Sequence, residues 1–562
     1  LEKEQRIKLN KFKQMKSIVQ EKILKATENA GYKSLSDFDI MEPPQKEMGD
    51  FATNAALVLG KKEGKAGREI AEKIRTLLLK DEDISRVEIA GPGFINITLK
   101  EGVYLTELSK ILEKRAEYGK ENIGQGEKVN VEFVSANPTG PLHVGNARGG
   151  PIGESIANLY DFLGFKSIRE FYINDIGGQV EKFAKSLYWH FEIKSNPKAE
   201  FPEGGYPGEY IKEISKEVQK QFADEIEAAV SKEEQITVFK KRGLDIIISG
   251  IKNDLNLIGI DFDVWFRQSL LEKDGEGKKI VDVLKKKGST TEKDGALWLK
   301  NPSDPDLQDR ESVLVKGDGS LTYFADDIAY HINKIDRGAK KLIDIWGANH
   351  FGHIPRMKAA LRLLDQPEET LEIILYQYVR LKKSGQAVSM GKRLGNFVTL
   401  RQVIEAGVAP DAFKYFILAQ NPNTPMDFDI DLAADTSEKN PVYYIKYAHA
   451  RICSILKKAG DREETAETID LTLLKDPKEL ALIKELTNFS ELVLAVKDNF
   501  QMQTLPHYAY KIAGLFHDFY SNCQVLTDNK ELTKSRIALI LATKYILKNT
   551  LNILGIDAPE KM

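Results

Sequence analysis

His143, Gly145 and Asn146 crowd one junction of the stretch VNVEFVSANPTGPLHVGNARGGPIGE, Val129 to Glu154, and Lys392 lies far downstream in VSMGKRLGNFVT, Val388 to Thr399. The first stretch runs from alternating apolar positions, Val129, Val131 and Phe133, through a Pro and Gly turn into a helical repeat at Ile152, Ile156, Leu159 and Leu163. A strand-to-helix junction points free backbone N–H groups and the positive end of the helix dipole outward, which seats a phosphate. In the second stretch Gly391 and Gly395 let a loop swing, so the Lys392 ammonium can reach a departing pyrophosphate. Together they read as an ATP site. Taken singly, His143 is a turn histidine and Lys392 a surface lysine. Other phosphate devices are missing from the sequence: there is no Gly-x4-Gly-Lys-Ser/Thr loop, and Gly145, Gly149 and Gly150 lack dinucleotide spacing.

In order and separation the two stretches resemble the His-x-Gly-His and Lys-Met-Ser-Lys-Ser pair of class I aminoacyl-tRNA synthetases. Two positions depart from that pattern. Asn146 stands for the second histidine, and Ser389-Met390-Gly391-Lys392-Arg393 keeps only the second lysine. An Asn amide still donates to a phosphate or ribose oxygen, whereas the missing lysine takes a cation out of the loop. EFVSANPTGPLH from Glu132, YINDIGGQ from Tyr172, FDVWF from Phe262, LTYFADDIAYH from Leu321, WGANH from Trp346 and the closing APEKM narrow the likeness to bacterial-type arginyl-tRNA synthetases, over essentially the whole chain.

The resemblance implies ATP-dependent attachment of arginine to its tRNA through an arginyl-adenylate. It implies ATP and Mg2+ as cofactors, L-arginine and tRNA(Arg) as partners, and activation of arginine only once tRNA is bound. By the same resemblance His143, Asn146 and Lys392 are catalytic and, with Gly145, bind ATP. Glu132, Tyr323 and Asp327 go to the arginine side chain, and Asn137 to its α-amino end. Phe94 and Asn96 go to the tRNA elbow, Tyr443 and Tyr447, with His449 and Arg451, to the anticodon, and no residue to a resident metal. Both nucleophiles arrive with the substrates, so the protein has to position and compensate charge.

The residues make their own case for an arginine pocket. A guanidinium is a planar fork of five donors and asks for a carboxylate with further acceptors around it. If Leu321 to Lys334 is helical, Tyr323 and Asp327 lie one turn apart on one face and converge. Glu132 closes the pocket from the strand, and Asp326 is expected to face solvent. The plainer reading makes Asp327 a solvated helix carboxylate or a partner for Lys334. A hydrogen-bonding pocket of this kind rejects lysine and citrulline by about 10⁴-fold without an editing site.

Length predicts several domains: 562 residues at about 150 per domain make three or four units. The expected class is multidomain α/β. A small α+β N-terminal domain fills 1–118, a Rossmann-like parallel-sheet catalytic domain 119–438 with an insertion near 199–256, and an all-α helix bundle 439–562. Deleting 440–562 is expected to weaken tRNA binding and spare ATP. Lys+Arg 81 against Asp+Glu 84 does not advertise an RNA binder, although residues 1–34 carry nine basic and four acidic side chains. Two cysteines, Cys453 and Cys523, provide no zinc framework, and no apolar run reaches the length of a membrane span. A cytoplasmic monomer is expected. The other readings are a class I synthetase for another amino acid, a small-molecule adenylyltransferase and a catalytically silent RNA-binding paralogue.

Overall fold

A computed structural model describes residues 15–32, 35, 37–300, 312–387, 398–460 and 469–562. Its centre is a five-stranded parallel sheet of β1 (Lys128–Glu132), β2 (Lys166–Ile173), β3 (Val264–Arg267), β4 (Lys341–Gly347) and β5 (Leu371–Tyr376). The strands lie in the order β5-β4-β1-β2-β3, every neighbour parallel. Val129, Val131, Leu342, Ile343 and Ile345 are buried, as strands covered on both faces require. Chain direction across the sheet reverses between β1 and β4, so a crevice opens beyond their carboxyl ends, where such sheets take ligands.

The helix α1 (Gly149–Phe162) crosses from β1 to β2 with Ile152, Ile156 and Leu159 buried against the sheet. Gly153 makes that approach possible, because a Cβ there would run into the ring of Phe133. After β2 comes α2 (Gly178–Glu192), then the inserted helices Glu209–Gln221, Ala223–Ala228 and Lys232–Asn256. An antiparallel three-stranded sheet, Thr290–Lys293, Ala296–Leu299 and Ser312–Val315, precedes α3 (Tyr323–Asp336), which feeds β4, and α4 (Ile354–Leu363) links β4 to β5.

The N-terminal region pairs a four-stranded antiparallel sheet with the helices Ala55–Glu63 and Gly67–Leu78. From Pro441 onward the described chain is helical except for short connections: Pro441–Ala459, Pro477–Thr487, Phe489–Asn499, Thr504–Asn522 and Lys530–Ile553. Asn440, Asp476 and Asn529 cap three of these helices, two of them with proline in the first turn. This is the multidomain α/β architecture expected from the sequence. The regions share one apolar core. Phe489 of the bundle stacks on Tyr118 and meets Phe162 edge-on, Asn549 Nδ2 donates to the carbonyls of Ala116 (3.1 Å) and Tyr118 (3.2 Å), and Lys484 pairs with Asp50 at 2.6 Å. Deleting 440–562 would therefore strip a face of that core, and the loss would not be confined to RNA binding. Among the described residues no helix is long and apolar enough to cross a membrane.

Candidate functional site

The backbone bends sharply where β1 ends. Val134 and Ser135 take positive φ angles of 66° and 37°, costly for side chains of their kind and typical of functional sites. Ser135 secures the bend: its Oγ donates to Glu132 Oε1 (2.9 Å) and accepts from the Tyr172 N–H (3.0 Å). Farther along, His143 caps the short helix Val144–Ala147, its Nδ1 accepting the Asn146 N–H at 3.1 Å. An accepting Nδ1 leaves the ring proton on Nε2. Asn146 and Gly145 are half-buried beside it.

The second stretch returns to this junction. Val144 N donates to Val398 O (3.1 Å), Leu400 N to Leu142 O (2.9 Å), and His143 and Thr399 form an antiparallel bridge. Thr399 then caps the helix Leu400–Glu405 in a capping box with Gln402. Lys392, with Gly391 and Gly395, lies outside the described residues. Arg148 braces the junction from below. Fully buried, it gives Nη1 to the carbonyls of Gln377 (2.6 Å) and Thr424 (3.0 Å) and Nη2 to that of Asn421 (3.1 Å), and burial brings it down to about 10.

The opposite wall is α3, capped by Thr322. Tyr323 is 57% exposed, and its hydroxyl overlies Gly177 so closely that a Cβ there would collide with it. Asp327 is half-exposed, its Oδ2 3.0 Å from His353 Nε2 at an angle that makes no hydrogen bond. Two expectations for this helix are corrected. Asp326 is buried rather than solvent-facing, because the start of α3 packs against the segment after β3, where Gln268 Nε2 lies 3.5 Å from it; burial raises its carboxyl to about 6. Lys334 does not pair with Asp327. Two helical turns, about 10 Å, separate them, and Lys334 Nζ instead donates to Glu132 Oε2 (2.6 Å) and Asp344 Oδ1 (2.9 Å).

Between the walls stands Tyr172. Burial foremost, then the charges of Asp327, Glu132, Asp326 and Asp175, hold its hydroxyl well above the usual phenol range. Tyr172 Oη, Asn174 Oδ1 and Gln268 Oε1 are buried and find no hydrogen-bond partner among the described residues. Such atoms are costly without a ligand that pairs with them. A rim of carboxylates with orphaned acceptors suits a cation with many N–H donors. Asn137 is exposed at one edge and donates from Nδ2 to Gln179 Oε1 (3.1 Å).

Comparison with known proteins now decides the family. The model for the class I (R) tRNA synthetase catalytic domain matches residues 107–429, that for the arginyl tRNA synthetase N terminal domain 13–99, and that for the DALR anticodon binding domain 445–562. The chain belongs to the arginyl-tRNA synthetase family. The arginine--tRNA ligase of Caldanaerobacter subterraneus is 42% identical over 565 residues, covering 98% of this chain and all of that one. That of Moorella thermoacetica is 42% identical over 545 residues, covering 96% of each. The solved Thermus thermophilus arginyl-tRNA synthetase shares the fold, with TM-score 0.77 at 22% identity over 98% of this chain and all of that one.

Membership in the arginyl-tRNA synthetase family gives the outlying residues a context. Phe94 is half-buried at a strand start, while Asn96 is only 6% exposed, flanked across the sheet by Ala52 and Glu88. In the bundle Tyr443 and Tyr447 are half-buried. His449 is buried, its Nδ1 2.9 Å from the Pro559 carbonyl, so it holds the C-terminal tail. Arg451 lies over the Tyr520 ring, 4.8 Å from its centre. Tyr447 stacks on His517 (5.9 Å), His517 meets Tyr444 (4.6 Å), and Tyr444 meets Tyr510 (5.2 Å).

Sequence reasoning gave no role to Ser135, Tyr172, Gln268, His331, Asp344 or Arg148, and placed Lys334 only as an alternative partner for Asp327. One signal was available. Tyr323, Asp327, His331 and Lys334 recur at steps of four, four and three, a polar stripe on a helix whose other positions are largely apolar.

Proposed function

We propose that this chain attaches arginine to its tRNA at the expense of ATP, through an arginyl-adenylate. The observation that carries the reading is the meeting of two features at one crevice. The Leu142–Val144 segment is laced to Val398–Leu400 there, and a rim of carboxylates opens beside it. The arginine carboxylate attacks the α-phosphorus and pyrophosphate leaves; a ribose hydroxyl at the tRNA 3′ end then attacks the acyl carbon and AMP leaves. His143, through its Nε2–H, the Gly145 backbone and Asn146 face the triphosphate, and Lys392, six positions before Val398, brings a cation to the leaving group. Asp327, Tyr323 and Glu132 hold the guanidinium, and Asn137 the α-amino group. Mg2+ would arrive with the nucleotide phosphates.

The tRNA spans regions 1–118 and 439–562, with Phe94, Tyr443 and Tyr447 in contact; an Asn96 contact would require the side chains that cover it to move. The catalytic region 119–438 lies between, and the enzyme acts as a cytoplasmic monomer. Charging total tRNA with each labelled amino acid in turn tests the reading. Arginine alone should be incorporated, and incorporation of a different amino acid, or of none, overturns it.

A further inference from the structure

Lys334 is 1% exposed, yet it carries an ammonium group. Its Nζ meets Glu132 Oε2 at 2.6 Å, Asp344 Oδ1 at 2.9 Å and the Tyr330 ring at 4.4 Å from its centre, one partner for each N–H. Asp344 passes the contact on. Its Oδ2 lies 2.8 Å from His331 Nε2, and His331 Nδ1 lies 2.7 Å from the backbone carbonyl of Asp327. His331 thus bridges Asp344 to the backbone of Asp327 through its two ring nitrogens. Burial favours the neutral acid at Asp344, but Lys334 and His331 outweigh it and bring the carboxyl down to about 2.

The chain of contacts thus runs from Glu132 at the end of β1, through Lys334 on α3 and Asp344 on β4, to the backbone of Asp327. We infer that Lys334 is a positioning residue for arginine: from beneath the pocket it fixes the Glu132 carboxylate directly and, through Asp344 and His331, the turn of α3 that carries Asp327. The inference rests on the proposed arginine activation. A planar guanidinium reads the spacing and orientation of the acceptors around it, so the groups that hold two of those acceptors govern its fit. Lys334 itself touches no substrate.

The network reaches a third carboxyl group on the neighbouring strand. Glu170 on β2 accepts from Arg337 Nη2 (2.7 Å), Tyr330 Oη (2.9 Å) and Asn130 Nδ2 (2.6 Å). Within the cluster the carboxyl groups of Glu132, Asp344 and Glu170 therefore lie among the basic side chains of Lys334, His331 and Arg337. Without Lys334, Glu132 would keep a buried charge with no cation beside it, facing Asp344 and Glu170. It would bind a proton more readily or turn away.

The test compares Lys334→Met, Lys334→Arg and the double variant Lys334→Met/Asp344→Asn with the parent full-length chain. The readout is arginine- and tRNA-dependent pyrophosphate exchange between about pH 5 and about pH 9. Lys334→Met should raise the arginine KM by about 30-fold or more, with kcat and the ATP KM within about threefold. The acid limb of kcat/KM for arginine should move to higher pH. Lys334→Arg should recover most of the affinity, and the double variant part of it. An unchanged arginine KM and pH profile in folded Lys334→Met would overturn the inference, as would an equal loss toward ATP and arginine. Failure of all three variants to fold would make Lys334 structural and also overturn it. A parent chain that exchanges pyrophosphate with a different amino acid would remove the arginine assignment itself, and this role with it.

Discussion

Asp327 keeps its carboxylate half-exposed and without a hydrogen bond from His353, although the two side chains lie 3.0 Å apart. In the proposed arginine complex it would exchange the His353 contact for the guanidinium fork. Asp327→Ala should raise the arginine KM in pyrophosphate exchange by about 30- to 5000-fold, the cost of leaving a buried cation unpaired, about 2–5 kcal/mol. ATP affinity should stay within about threefold; parent-like turnover would remove the residue from the pocket. Asp326, one position earlier, differs in kind. Its carboxyl is raised from the ordinary 3.8 to about 6, first by burial, against the weaker opposing pull of Gln268. The folded chain therefore binds more protons than the unfolded chain between those values, so this group's contribution to stability falls as pH rises through the window. Asp326→Asn removes the effect. Thermal melts should show the variant gaining on the parent from about pH 4 to about pH 6 and holding that gain above, and a gap that does not grow with pH would refute the burial argument.

The strap between Leu142–Val144 and Val398–Leu400 makes an element out of two distant stretches, and Thr399 is its anchor. Its hydroxyl accepts the Gln402 N–H at 3.1 Å while Gln402 Oε1 accepts the Thr399 N–H at 2.9 Å. Thr399→Ala loses the cap, about 1 kcal/mol, and loosens the strap six and more positions after Lys392. Turnover should fall about three- to tenfold with the arginine KM unchanged; a raised arginine KM instead would mean that the strap serves the pocket, not the triphosphate. At this scale the sequence was legible where signals are local. Apolar alternation marked β1, the repeat from Ile152 marked α1, and the one-turn spacing of Tyr323 and Asp327 placed both on α3. It was illegible where partners are remote. Lys334 meets Glu132 from 202 positions away and Arg148 reaches carbonyls more than two hundred positions downstream, so nothing near either residue reveals its contact. Asp326 looked exposed because helical periodicity cannot say that the segment after β3 covers its face. In the bundle Leu482, Leu486, Phe489, Val493 and Val496 keep a helical spacing of four, three, four and three, which hides a break at Asn488 between the helices Pro477–Thr487 and Phe489–Asn499.

Across the whole molecule a formal net charge of −3 offers no general attraction for RNA, so binding must be concentrated in local surfaces. The bundle has a suitable one. Tyr510, Tyr444, His517 and Tyr447 form a run of ring contacts, and Arg451 lies over Tyr520 close by. Burial foremost keeps His517 below the ordinary histidine range, so near neutral pH the run presents uncharged rings, on which bases stack whatever their identity. Because the bundle also completes the shared core around Phe489, truncation cannot separate RNA binding from folding, whereas a change at the outer end of the run can. Tyr510 is 47% exposed, so Tyr510→Ala should leave the melting temperature nearly unchanged. One stacked base is worth about 1–3 kcal/mol, which sets the expected loss of tRNA affinity at about 5- to 150-fold in filter binding at fixed salt. Arginine and ATP KM values at saturating tRNA should match the parent. Unaltered tRNA affinity in this variant would move the contact surface away from the Tyr510 end, toward Tyr443 on the neighbouring helix.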